Sequence, residues 1–111
     1  MAYRKYKNKS VVVGDIQFDS KKEGKRFFEL KILERAKKIT DLQLQVKFEL
    51  IPKQKGERAC HYIADFVYKD LTTGETVVED VKGYKRGGAY SVFSIKRKLM
   101  LLRYGIRVKE V

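Results

Sequence analysis

The sequence predicts a single α/β domain in which a central mixed β-sheet is flanked by helices. Apolar and polar residues alternate strictly from Leu42 to Leu50, as in a strand with one buried face. Two further apolar segments are separated by a short polar turn, and segments with helical spacing lie before and after the three predicted strands. The 111 residues are enough for one domain with one small core.

The N-terminal segment predicts a basic, flexible arm followed by a β-hairpin. Residues 1–10 contain four basic residues and no acid. Residues 11–18 hold two short apolar runs on either side of Gly14-Asp15, which is typical of a tight turn despite the Gly-Asp order. We therefore expect one domain over residues 11–111, with residues 1–10 as an arm outside it.

A capping box predicts where the first helix begins. Ser20 and Glu23 have the spacing at which the serine hydroxyl accepts from the Glu23 N–H while the glutamate side chain reaches back. The helix is expected to run to about Lys38. It is also expected to be broadly buried, because its apolar residues form two groups: Phe28, Ile32, Ala36 and Ile39, and Phe27, Leu30 and Leu33.

Three antiparallel strands are predicted after this helix. The first is the alternating segment, which Pro52 stops, and a polar loop follows at residues 53–58. The second covers residues 60–68 and the third residues 76–81. The turn at residues 72–75 is short enough to pair these two strands as a hairpin.

A second helix and a closing strand complete the predicted domain. Glycines at positions 83, 87 and 88 indicate a basic loop before the helix, and Gly105 marks its C-terminal end. Residues 106–111 are the closing strand. The helix itself is indicated by four apolar residues at helical spacing: Val92, Ile95, Leu99 and Leu102.

The charge of the chain is large and unevenly distributed. There are 26 Lys and Arg against 14 Asp and Glu, a net charge of +12. Residues 1–14 carry +4, residues 82–90 carry +3 and residues 96–111 carry +5, so the remainder nets to zero. Tyrosines lie among these clusters, which suits a nucleic-acid backbone with bases or sugars nearby. A solvated basic surface, or attraction to anionic lipid, remains the alternative.

Composition excludes several other classes. The longest apolar runs are three or four residues, as at residues 99–102, which is too short for a membrane span or for the apolar stretch of a signal peptide. Cys60 is the only cysteine, so an internal disulfide and a cysteine-based zinc site are both excluded. We expect a cytoplasmic protein with no membrane partner.

Asp65 is the residue that fits its predicted strand least. It lies in an otherwise apolar segment, and a buried carboxylate needs a cation, a hydrogen-bond network or a metal. The partner strand carries Asp80 and Lys82, which project from one face because side chains alternate, while Glu79 and Val81 project from the other. If Asp65 lies opposite Asp80, two carboxylates and one ammonium meet within one strand spacing.

All-oxygen ligation by such a pair suits Mg²⁺ or Mn²⁺, which bind through one or two carboxylates together with phosphate oxygens and water. Lys82 would then orient the attacking water or hold the scissile phosphate. The plainer interpretation is a salt bridge in which Lys82 neutralises Asp65 or Asp80.

Four blocks of the sequence carry a resemblance to a known family: residues 18–23, 62–66, 78–83 and 94–99. In this order they resemble the PD-(D/E)XK nuclease superfamily, and most closely its small phage and prophage proteins that are similar to Holliday-junction resolvases. An alanine, Ala64, stands where the superfamily name has proline. The resemblance implies a restriction-endonuclease-like core of order α-β-β-β-α-β.

The resemblance also implies roles for individual residues. Asp65, Asp80 and the Val81 carbonyl would bind Mg²⁺ or Mn²⁺, with Glu23 as a further ligand. Lys82 would be the catalytic lysine, and Lys96 would lie near the scissile phosphate. Glu23 has an alternative role as the cap of its helix, and the sequence leaves both open. The residues expected to contact nucleic acid are Arg4, Lys5, Lys7, Lys85, Arg86, Lys96 and Arg97.

The expected function is therefore that of a Mg²⁺-dependent DNA endonuclease that hydrolyses phosphodiester bonds. By resemblance its substrate is branched DNA such as a Holliday junction, and it is encoded by a phage or prophage and acts in a bacterial cytoplasm. A homodimer would suit the two symmetric scission points of a junction. The alternative is a non-catalytic nucleic-acid-binding protein with the same fold, although a binder has no use for carboxylates beside phosphates. A sequence-specific restriction-type nuclease is a third candidate, for which 111 residues leave little room.

Overall fold

The computed structural model describes residues 11–83 and 85–111. The predicted basic arm, which includes Arg4, Lys5 and Lys7, lies outside the described residues, as does Tyr84. The elements are β1 (Val11–Val13), β2 (Ile16–Phe18), α1 (Lys21–Arg35), β3 (Ile39–Ile51), β4 (Cys60–Asp70), β5 (Thr76–Asp80), α2 (Gly87–Tyr104) and β6 (Lys109–Glu110).

The main sheet has four strands in the order β3-β4-β5-β6. β3, β4 and β5 pair antiparallel, and β6 pairs parallel to β5, so the sheet is mixed. β1 and β2 form a separate antiparallel hairpin. This arrangement confirms the predicted α/β class, the predicted hairpins and the mixed central sheet. Within the described residues, neither helix is long and apolar enough to cross a membrane.

Local chemistry explains where the helices begin and end. Ser20 is the N-cap of α1, and its hydroxyl accepts from the Glu23 N–H at 3.1 Å. α1 ends at Arg35, three residues before the predicted end, and Lys37 then adopts a left-handed φ of 60° that turns the chain into β3. α2 ends as predicted at Gly105, whose φ of 68° is readily available to glycine.

The faces that the helices bury differ from those that the sequence predicts. α1 buries only a narrow stripe that includes Phe27 and Leu30, whereas Phe28 is 57% exposed, so the expectation of a broadly buried helix was wrong. The sheet covers only one side of α1, and a second apolar group cannot reach it. In α2 the buried residues are Phe93 and Met100, whereas the residues whose spacing indicated the helix are largely exposed: Val92, Ile95 and Leu102.

The core consists of two clusters on opposite faces of the sheet, and β3 and β4 cross from one to the other. Leu44 and Phe66 belong with the cluster under α1, whereas Val46 and Ala64 belong with the cluster under α2. Residues two apart in a regular strand share a face, so both strands reverse their faces at the intervening pair. The pairing indeed passes from Leu44↔Phe66 to Val46↔Ala64 and skips the positions between them.

Candidate functional site

The reversal point of the sheet carries Asp65, and its carboxylate has partners from both neighbouring strands. Oδ2 accepts from the Val81 N–H at 2.8 Å, just after β5, and Oδ1 accepts from Gln45 Nε2 at 3.2 Å on β3. The paired register of β4 and β5 ends at Phe66↔Glu79, and its next step would set Asp65 opposite Asp80. Burial raises the pKa of Asp65, the Val81 N–H opposes that shift, and the charge of Asp80 adds to it.

Asp80 and Lys82 form the second half of the site. Asp80 is buried, its Oδ2 accepts from the Tyr62 hydroxyl at 2.6 Å, and its Oδ1 lies 2.9 Å from Lys82 Nζ. The Lys82 ammonium also lies 3.7 Å from the centre of the Phe93 ring, a cation–π distance. Burial and then the bond to Asp80 raise the pKa of Tyr62. The predicted salt bridge between Lys82 and Asp80 is therefore present.

Glu79 faces the other side of the sheet, as strand alternation predicts. It is fully buried and receives a two-point salt bridge from Arg26, with Nε at 2.8 Å and Nη2 at 2.6 Å. The Tyr68 hydroxyl donates to the same carboxylate, and burial, followed by this bond, raises the pKa of Tyr68. Of the two adjacent acids, only Asp80 thus lies with Lys82.

Glu23 joins the acidic cluster from the first turn of α1. Its backbone N–H donates to the Ser20 hydroxyl, whereas its side-chain carboxylate accepts from Gln45 Nε2 at 3.3 Å. Burial, followed by the charges of Asp65, Asp19 and Asp80, raises the pKa of Glu23 to about 7. The sequence left open whether Glu23 is a cap or part of the site. In the structure Ser20 caps alone, and the Glu23 carboxylate lies among the other acids.

For Gln45, the sequence favours an ordinary polar strand position over a contact to the nucleic-acid backbone, and neither interpretation places it in this cluster. Strict alternation along β3 predicts an ordinary polar face, whereas the structure gives Gln45 a left-handed φ of 53° and contacts to both Glu23 and Asp65. No signal in the sequence marks it, because the residue types continue to alternate through the position where the backbone reverses.

The donor chemistry at this point fits a hard divalent cation. Asp65 and Asp80 offer carboxylate oxygens from neighbouring strands, and each oxygen that accepts one hydrogen bond keeps a second lone pair. In the described ranges no three or more acidic, histidine or cysteine side chains are close enough together to hold a metal, so Glu23 does not complete a three-residue cage. Mg²⁺ commonly binds through only one or two carboxylates, and the pair satisfies that requirement.

A cleft on the α1 side of the site adds cations that charge counting did not reveal. Its volume is about 220 Å³, and it is lined by Lys22, Lys25, Arg26, Glu29, Val81 and Val111. Lys22 Nζ also donates to the Lys82 carbonyl, so the cleft meets the backbone of the candidate site from the side to which Glu79 points. Residues 15–81 have no net charge, and for that reason the sequence drew attention elsewhere.

The predicted nucleic-acid contacts on the α2 side are partly engaged within the protein. Glu110 forms ion pairs with Arg97 at 3.1 Å and with Lys85 at 3.9 Å. These pairs neutralise part of the positive charge that both side chains would offer to a phosphate. Arg86 is exposed at the N-cap of α2. Lys96 is half-buried on α2, and within residues 11–83 and 85–111 no ion pair or hydrogen bond joins it to the acidic cluster.

Comparison with known proteins gives one result. Residues 3–110 match the model of DUF1064, described as a protein family of unknown function. No curated protein and no solved structure gives a significant match. Because the match covers almost the whole chain, this protein belongs to the DUF1064 family.

Proposed function

We propose that this protein is a metal-dependent DNA endonuclease that hydrolyses phosphodiester bonds, with branched DNA such as a Holliday junction as its substrate. The observation that carries the proposal is a pair of contacts at the end of β5: Lys82 Nζ lies 2.9 Å from the Asp80 carboxylate, and the adjacent Val81 N–H donates to Asp65. The resemblance of four sequence blocks to PD-(D/E)XK nucleases adds support to it.

The residues divide the chemistry between them. Asp65 and Asp80 would hold Mg²⁺ or Mn²⁺, together with the Val81 carbonyl. The chemistry that a bound divalent cation supplies is activation of water and neutralisation of the charge that builds on the phosphoryl oxygens. Lys82 holds the scissile phosphate or orients the attacking water, and its contact with the Phe93 ring fixes the ammonium at that place. Lys96 is kept as a candidate contact to the phosphate.

Charge elsewhere on the chain supports a nucleic-acid substrate. A net charge of +12 attracts a phosphate backbone, and Lys22 and Lys25 line the cleft on the α1 side of the sheet. Cleavage at two symmetric positions of a junction would suit a homodimer. By resemblance, the protein would be encoded by a phage or prophage and would act in the cytoplasm of its bacterial host.

A second candidate is a non-catalytic nucleic-acid-binding protein with this fold. One observation favours it: both oxygens of the buried Asp80 carboxylate already have partners within the chain, Tyr62 and Lys82. In that case the acids stabilise the fold, and the basic surface alone carries the function.

The two candidates are separated by incubating the purified protein with a labelled four-way junction, a linear duplex and a single strand. Each DNA is tested with Mg²⁺, Mn²⁺ or EDTA. Metal-dependent cleavage, fastest on the junction, is the expected result. Cleavage of the linear duplex at the same rate would refute the preference for branched DNA. No cleavage of any substrate with either metal, together with retained DNA binding, would establish the binding protein instead.

A further inference from the structure

We propose that Gln45 is a positioning residue of the acidic site: its side-chain amide holds the Glu23 and Asp65 carboxylates together. The inference rests on the proposed function in so far as these carboxylates serve a metal. The bridge itself is a property of the metal-free chain.

The contacts of the amide define the bridge. Gln45 Nε2 lies 3.3 Å from Glu23 Oε1 and 3.2 Å from Asp65 Oδ1. Both partners are acceptors, so the amide must present its nitrogen, and its two N–H groups are enough for one bond to each. Two carboxylates that repel each other thus share a neutral donor. A lysine in this place would compete with a metal for the same oxygens, whereas an amide adds no charge.

The backbone of Gln45 gives independent support. A φ of 53° is unfavourable for a glutamine, and glycine or asparagine would adopt it more readily. Strained residues of this kind concentrate at functional sites, where the surrounding structure maintains them. Here the strain coincides with the skipped pair at which β3 and β4 reverse their faces. The reversal of the strand faces requires only the left-handed φ of residue 45. The bridge between Glu23 and Asp65 also requires an amide on a side chain long enough to contact both acids.

This difference allows the two roles of Gln45 to be separated by substitution. Gln45→Gly keeps the left-handed backbone without strain and removes the amide. Groups that orient metal ligands typically change metal affinity by about 10- to 100-fold, so we expect Gln45→Gly to weaken Mn²⁺ binding at least tenfold. Its thermal unfolding midpoint in EDTA should stay within a few degrees of that of the native chain. Gln45→Asn keeps a shorter amide and should recover part of the affinity.

Gln43→Gly is the matched control, because it changes the same residue type on the same strand at an exposed position that pairs with Val67. It should lower the unfolding midpoint, as glycine does in a strand, and leave Mn²⁺ affinity unchanged. Affinity is measured by titration calorimetry on the full chain. Native Mn²⁺ affinity in Gln45→Gly, or an equal loss in Gln43→Gly, would overturn the inference.

A metal-free measurement keeps this test distinct from the test of the nuclease proposal. In EDTA, the two Gln45 side-chain NH₂ signals should be displaced from the chemical shifts of a solvated glutamine, and Glu23→Ala should move them. If the protein neither binds Mn²⁺ nor cleaves DNA but these displaced signals are present, the function is wrong and the bridge is right. If the signals resemble those of a solvated glutamine, the bridge is wrong, whatever the activity.

Discussion

Lys82 has two partners that keep its ammonium in place, the Asp80 carboxylate at 2.9 Å and the Phe93 ring at 3.7 Å. Lys82→Ala should abolish metal-dependent cleavage, because no other cation among residues 11–83 and 85–111 contacts both Asp80 and Phe93. It should also cost about 1–3 kcal/mol of unfolding free energy, since buried Asp80 loses a charged partner. DNA binding should weaken only modestly.

Lys55→Ala is the control for this change, because it removes the same charge from an exposed side chain on the loop between β3 and β4. Single-turnover rates and urea unfolding curves measure the two effects. If Lys82→Ala retains full cleavage, Lys82 is only the counter-ion of Asp80.

Glu23 makes stability depend on pH in the metal-free chain. Its pKa is raised from 4.5 to about 7 by burial and by neighbouring acids, so the folded chain binds a proton that the unfolded chain releases. The stability contributed by that proton is complete below pH 4.5 and is lost as the pH rises through about 7. The raised pKa of Asp65 acts in the same direction.

We therefore expect the unfolding midpoint in EDTA to fall between pH 5 and pH 8, and Glu23→Gln to reduce that fall. Glu57→Gln, on the exposed loop between β3 and β4, should leave the profile unchanged. Thermal denaturation at a series of pH values provides the measurement. A midpoint that rises over this range would show that Glu23 is ionised and stabilised by a cation in the fold.

At the scale of elements, the Glu79 salt bridge fixes α1 to β5 and so sets where Glu23 enters the site. Glu79 is fully buried, and Arg26 forms a bidentate salt bridge with its carboxylate. Removing one partner of a buried ion pair leaves an uncompensated charge and typically costs about 3–5 kcal/mol. Arg26→Met should therefore lose that much unfolding free energy.

The comparison for this change is Lys31→Met on the same helix, whose pair with Glu34 is exposed. Such surface pairs contribute about 0–1 kcal/mol, so Lys31→Met should be nearly neutral. Chemical denaturation in urea measures both. Equal effects of the two changes would mean that the Arg26–Glu79 contact does not hold α1 in place.

The elements that the sequence predicts best are those with a local cause. Ser20 caps α1 because its hydroxyl is three residues from an N–H that needs an acceptor, and Gly105 ends α2 because a left-handed φ suits glycine. Which face of a helix is buried depends on what packs there, so Phe28 and Ile95 proved to be exposed. The reversal at Gln45 depends on the pairing of distant strands, and alternation in one strand cannot reveal it.

The residues of the candidate site likewise include some that the sequence could reveal and some that only the packing of distant elements reveals. Asp65 could be found because an acid in an apolar strand needs a partner, and alternation then separated Asp80 and Lys82 from Glu79. Lys22 and Lys25 could not be found, because acids elsewhere in residues 15–81 cancel their charge in any count along the chain. Only the packing of α1 beside Val81 places them next to the site.

At the scale of the whole molecule, the net charge of +12 predicts DNA binding that weakens steeply with salt. The logarithm of the affinity should fall by about 0.9 per neutralised phosphate for each tenfold increase in salt. If Lys22 and Lys25 each contact a phosphate, Lys22→Ala with Lys25→Ala should reduce that slope by about 2.

Lys53→Ala with Lys55→Ala is the matched control, since it removes the same charge from an exposed loop. It should leave the slope nearly unchanged. Fluorescence anisotropy with duplex DNA in EDTA, over a range of salt concentrations, provides both slopes. Equal slopes for the two double variants would exclude the cleft as a phosphate site.

The central claim is that Asp65, Asp80 and Lys82 form a metal-dependent hydrolytic site, and the single-turnover cleavage rate of Asp80→Asn tests it most directly. The change keeps the side-chain shape and removes one negative charge, so cleavage of a four-way junction in Mg²⁺ should fall at least about a hundredfold. Affinity for the same junction in EDTA should be unchanged or tighter, because a repulsive charge is lost. Asp15→Asn, in the exposed hairpin turn, should match the native chain in both respects. Native cleavage by a folded Asp80→Asn variant would contradict the claim.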